Sequence, residues 1–275
     1  MAMDSLEVDQ QRLVIQRNND AVIMIQRGEF NKATQQLLEA LRDFRSSKTQ
    51  QIGRLEEPGD DDCNEGSSSF ESLSLDHWMV SSTEALHTRL SEAATRSFFV
   101  YPKGILIPIN FFQDNANRFC HVDITAAISS AICFNQGLSC QLAHIRAPME
   151  SKDAKWLRRA SELYRISIQA TRHRQQRMSS LDNKKSATNV NFLIAAMNNL
   201  AVSERIYDIA TTTAKGSSSP QPEVNYHYFE TLKGLLLNWR PSTMNSPDEV
   251  LWISYLENVL RGSDMEQSNY SVIPI

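Results

Sequence analysis

Three asparagines, Asn19, Asn135 and Asn199, each stand two residues before a small residue (Ala21, Gly137 and Ala201) inside stretches of helical periodicity. A side-chain amide donates and accepts at once, so one Asn can hold both the N–H and the C=O of an extended peptide. Two readings follow. The amides face a shared groove and contact a bound peptide, or they bond neighbouring helices and pin the register of a stack. On the first reading, Asn→Ala lowers affinity and leaves stability nearly intact. On the second, it lowers stability alone.

Other chemistry-bearing residues are Cys133, Cys140 and His144, which fall at i, i+7 and i+11 on one helical face. Cys and His are zinc-ligand types. A straight helix spreads i and i+11 over about 16 Å, too far for one ion to bridge. Only Cys140 and His144 could share a metal, and a second helix would have to complete the shell. A buried Cys acting as a small apolar residue is the simpler account, and neither metal nor cofactor is expected. Residues 152–177 carry eight Lys or Arg against Asp153 and Glu162, and Arg158, Arg165 and Arg172 recur every seven residues along one side. Such a stripe can hold an acidic peptide or a nucleic-acid backbone. Its ordinary alternative is a solvated face. A third reading has the acidic residues of 56–65 fold back over it as a tethered pseudo-ligand, at roughly millimolar effective concentration. No phosphate loop, dinucleotide turn, Gly-x-Ser-x-Gly elbow or His-Glu-x-x-His occurs, and no enzyme is expected.

The elements that must position these residues are helical. The first helix starts near Asp4 or Ser5 and carries Leu6, Leu13, Ala21, Met24 and Ile25 on one face; Gly28 ends it. A second helix follows with Ala33, Leu37, Leu38, Ala40 and Leu41. Ala21, Gly28, Phe30, Ala33, Leu37 and Ala40 make this hairpin similar to a tetratricopeptide repeat (TPR), with Arg17 and Asp20 departing from its pattern and Arg45 standing in place of its closing Pro. The resemblance implies stacked helical hairpins, each burying its apolar face against its neighbours, with Asn on the first helix of each unit facing a concave groove. Members that grip a terminal carboxylate place Lys and Arg where this chain has Asn18, Val22, Ala195 and Asn199, so no carboxylate clamp is expected.

Two degenerate units follow: Ile124–Ile145 with Trp156–Ser167, then Phe192–Ile206 with Tyr228–Trp239, the latter pair separated by a loop over 211–222. Ser246-Pro247-Asp248-Glu249 opens a last helix that stops at Gly262 and caps the array. Between Phe98 and Phe112, apolar β-formers flank Pro102-Lys103-Gly104 and predict a short hairpin or extended ribbon, as core padding or as an exposed partner site. The chain therefore divides into a first helical hairpin (1–45), an acidic, Ser-rich linker expected to be disordered (46–76), a short helix plus β-like ribbon (77–120), two helical hairpins (121–245) and a capping helix with a tail (246–275).

Twenty-eight basic against 32 acidic residues exclude a surface built wholly for nucleic acid or anionic membrane. The four cysteines form no C-x-x-C pair, the N-terminus is acidic and no stretch is apolar enough to span a bilayer, which points to cytosol or nucleus. The expected architecture is all-α, a short TPR-like array with an acidic insertion and a small β-like hairpin. The expected function is a scaffold or adaptor binding a peptide or helix of a partner protein in its groove. The alternative is a regulatory module that binds an acidic protein or nucleic acid through helix 152–177, with nucleic acid not favoured.

Overall fold

A computed structural model describes residues 5–52, 75, 78, 98, 100–109, 121–148, 153–181, 189–215, 227–238 and 251–260. Their secondary structure is helical: α1 (Ser5–Gln26), α2 (Phe30–Ile52), α3 (His121–Arg146), α4 (Lys155–Leu181), α5 (Val190–Lys215), α6 (His227–Asn238) and α7 (251–260). Among the described residues there is no strand.

The helices pack in chain order. α1 lies on α2, α3 on α4 and α5 on α6, while α2 meets α3 and α4 meets α5. The first helices of successive pairs also touch, α1 with α3 and α3 with α5. Local chemistry sets each turn. Gly28 takes a left-handed φ of 78°. Its N–H donates to the carbonyl of Ile25 (3.0 Å) and that of Glu29 to the carbonyl of Met24 (2.9 Å), the two-bond closure that a C-terminal Gly permits. Asp153 caps α4 by accepting the N–H of Lys155 at 2.9 Å. Close approach within pairs rests on small residues: Ala21, Ala33, Ala40 and Ala160 are fully buried. At Gly137, a Cβ would lie 3.0 Å from the Tyr164 ring. Arg17 ties α1 to α2 through Glu39 and Asp43, the latter at 3.3 Å.

Phe134 joins the second and third pairs, with its ring 5.6 Å from Tyr164 and 5.5 Å from Phe192. α7 closes the far end, where Trp252 donates to the carbonyl of Leu236 at 3.3 Å and Asn258 to Asn198 at 2.6 Å.

Several expected boundaries move. The linker was expected from residue 46, but α2 continues to Ile52, and Leu75 is fully buried with its N–H donated to Asn189 Oδ1 at 2.6 Å. α5 likewise runs to Lys215, through the start of the expected 211–222 loop. Residues 53–74, the short helix expected around 81–90 and the residues that open the capping helix lie outside the described residues. The expected β-like hairpin is also not what the described residues form. Residues 98 and 100–109 make one irregular run across the helices, and the chain does not reverse at Pro102-Lys103-Gly104: Tyr101 bonds α5, Ile105 bonds α3 and Ile107 bonds α1. Helix side chains hold the backbone of Tyr101, Ile105 and Ile107.

Candidate peptide groove

The three expected asparagines come together. Asn19 lies on α1, Asn135 on α3 and Asn199 on α5, the three helices that neighbour one another across the pairs. Each grips one residue of the 98–109 run at two points. The N–H of Tyr101 donates to Asn199 Oδ1 (2.8 Å) and its carbonyl accepts from Asn199 Nδ2 (3.0 Å). The N–H of Ile105 donates to Asn135 Oδ1 (2.7 Å) and its carbonyl accepts from Asn135 Nδ2 (2.9 Å). Ile107 repeats the pattern with Asn19, at 2.9 Å and 2.8 Å. Holding both backbone groups of Ile105 and Ile107 from one side requires extended backbone, in which residues two apart face the same way.

The amides are thus occupied by the chain itself, and two of them are inaccessible. Asn135 and Asn199 are fully buried, while Asn19 is partly exposed. Tyr101, Ile105 and Ile107 are buried as well, and the Tyr101 ring packs 6.3 Å from Phe134. Gly104 lets the segment close on α1, since a Cβ there would sit 2.9 Å from both γ carbons of the buried Val22. Toward its end the segment emerges, with Pro108 and Ile109 exposed.

Further amides support the grip and were not foreseen. Asn18 Nδ2 donates to the Ile105 carbonyl (3.0 Å) and to Asn19 Oδ1 (3.1 Å), and Asn18 Oδ1 accepts from Asn135 (2.8 Å). At the other end Asn198 donates to Asn199 Oδ1 (3.2 Å). Asn199 Nδ2 also reaches the Tyr164 hydroxyl (3.3 Å), which itself donates to Gln141 Oε1 (2.8 Å). Burial pushes the Tyr164 hydroxyl well above its usual pKa, against the opposing hydrogen bond from Asn199, so it remains a neutral donor. The available signal was the doubling itself: Asn18-Asn19, Asn135-Gln136 and Asn198-Asn199 are adjacent amides on one helix of each pair.

The other candidates lie apart from this groove. Arg158, Arg165 and Arg172 are exposed on α4. Arg158 pairs with Glu162 at 3.5 Å, while Arg165 pairs with Glu204 at 2.8 Å and donates to the Tyr228 hydroxyl at 2.9 Å. Arg172 has no carboxylate partner among the described residues, and with Arg165, His173, Met197 and Leu200 it lines a cavity of about 300 Å³. Cys133 and Cys140 are buried free thiols, pushed up to about 11 and about 12 by desolvation. The His144 Nδ1 meets the Asp153 carbonyl at 3.1 Å. Among the described residues no group of three His, Cys, Asp or Glu could hold a metal ion, and no helix is long and apolar enough to cross a membrane.

Comparison with protein-family models, with curated proteins and with solved structures finds no match.

Proposed function

We propose that this chain is a protein-interaction scaffold, a TPR-like array of three helical hairpins whose groove binds an extended peptide through its backbone. The observation that carries the reading is the threefold two-point contact of Asn199, Asn135 and Asn19 with Tyr101, Ile105 and Ile107. Such a contact completes the hydrogen bonding of an extended residue without reading its side chain, which is the chemistry a peptide groove needs. Buried free thiols fit a reducing compartment, cytosol or nucleus. The second reading, an anionic partner on α4, is favoured by one observation, the cavity beside Arg172, which has no carboxylate partner among the described residues.

Selection of displayed peptides on the full chain, at low and at high salt, tests both. Groove ligands should be apolar and extended, should bind with little salt dependence and should be indifferent to Arg172→Ala. Ligands that vanish at high salt or with Arg172→Ala would move the site to α4.

A further inference from the structure

We propose that residues 98–109 are an exchangeable resident of the groove, standing in for a partner's neutral, apolar extended segment and competing with it in cis. This rests on the reading of the groove as a peptide site.

Three features carry the inference. The asparagine grip touches only backbone atoms of Tyr101, Ile105 and Ile107, so it holds a resident and an outside segment of like shape equally well. The helices also pack on one another directly, each pair on the next, without the segment as an intermediary. And the grip is graded along its length. Asn135 and Asn199 are fully buried, whereas Asn19 is partly exposed and Ile109 beyond it is 61% exposed. Exchange therefore begins at the α1 end, where water already reaches the Ile107 contact, and proceeds toward α5.

The chemistry of the competitor follows from what the resident fills. Tyr101, Ile105 and Ile107 are buried, so an emptied groove exposes apolar wall, and a charged or polar segment does not replace them. Gly104 lies against Val22 with no room for a Cβ, so the competitor carries Gly three residues after its aromatic residue and β-branched or aliphatic residues four and six after it. Tethering holds the resident at roughly millimolar effective concentration, so an identical free peptide competes from a deficit of about a thousandfold at micromolar concentration.

The test weakens the resident and leaves the asparagines in place. A labelled peptide with the sequence of residues 98–109 is titrated by fluorescence anisotropy into the full chain and into its Gly104→Val variant. In that variant the resident's own side chain is driven into Val22, while the free peptide still carries Gly. The expected result is binding tightened by at least about tenfold in Gly104→Val, because the fraction of open groove rises. Equal affinity for the two chains overturns the competition and leaves the peptide-groove reading standing, whereas no binding to either overturns both. Circular dichroism checks that Gly104→Val keeps its helices, and Gly104→Ala is the milder substitute. Should neither variant fold, native-state hydrogen exchange on the unaltered chain decides. The amides of Ile105 and Ile107 should exchange at least about tenfold faster than those in the middle of α3, and exchange at the α3 rate overturns the inference.

Discussion

Truncating Asn135 isolates the energetic weight of the grip. Asn135 is fully buried, accepts the Ile105 N–H at 2.7 Å and donates both to the Ile105 carbonyl at 2.9 Å and to Asn18 Oδ1 at 2.8 Å. In Asn135→Ala the Ile105 carbonyl keeps its bond from Asn18. The Ile105 N–H and Asn18 Oδ1 each lose a partner in a buried site. Each such orphaned group costs ~1–3 kcal/mol, so the variant should lose about 4 kcal/mol. In a chain of this size that lowers Tm by roughly 8–16 °C. Asn19→Ala removes the same two contacts from Ile107, but at a partly exposed position where water can replace them, and should cost only about 1 kcal/mol. Urea unfolding of both variants, at unchanged m, measures the difference. The outcome expected if the amides faced an open groove was stability left nearly intact. The occupied groove reverses it for Asn135. If Asn135→Ala cost no more than Asn19→Ala, the idea that these amides sustain the buried segment would fail.

Two further outcomes follow from packing and burial. Ala33 is fully buried, and Ala33→Leu should overpack the first hairpin and cost ~1–3 kcal/mol; an unchanged melting temperature would remove the main support for the repeat reading. Cys133 and Cys140 hold their protons to about pH 11 and about pH 12 in the folded chain, against an ordinary value of 9.0. Unfolded chains lose these protons first, so stability should be flat below about pH 9 and fall by up to about 1.4 kcal/mol per pH unit for each thiol above it. A thiol reagent at pH 8 should likewise label neither residue until the chain is unfolded, and prompt labelling of the native chain would show that the burial is wrong.

The helices were legible because their signals are local. Gly28 announced the end of α1, and apolar spacing announced the face of α2, where Ala33, Leu37 and Ala40 are fully buried, Leu41 partly so and Leu38 exposed. The asparagines were legible as a set because each precedes a small residue at the same spacing. What they bond was not legible, since Asn19 and Ile107 lie 88 positions apart and no local rule couples them. Of the two readings of the 98–112 run, the hairpin is not what residues 100–109 form, and the ribbon laid on the helices is nearer to them. Pro102-Lys103-Gly104 has the composition of a turn, yet here Gly serves close approach to Val22 and the backbone continues in one direction. The reach of α2 to Ile52 and the anchoring of Leu75 on Asn189 were hidden by polar neighbours, whose composition argues against burial for the stretch as a whole.

The spacing of the gripped residues has a geometric cause. Packed helices lie about 8–10 Å apart, which an extended chain covers in about three residues. A three-residue step is forbidden to this grip, however, because the N–H and C=O of an extended chain face the same side only at every second residue. Along extended backbone, contacts from one wall therefore fall at even separations. They do: from α5 to α3 the segment advances four residues, Tyr101 to Ile105, and from α3 to α1 it advances two, Ile105 to Ile107. The two steps bracket the forbidden value, and their mean equals it. The longer step contains Pro102, Lys103 and Gly104, where added length can be taken up, and the shorter has the single residue Leu106. The second amide contact to Ile105, from Asn18 on α1, lies on the side of that shorter step. Any extended segment offers backbone at such intervals, so on the peptide-groove proposal it is the close approach at Gly104 and the buried Tyr101, Ile105 and Ile107 that narrow the field of partners.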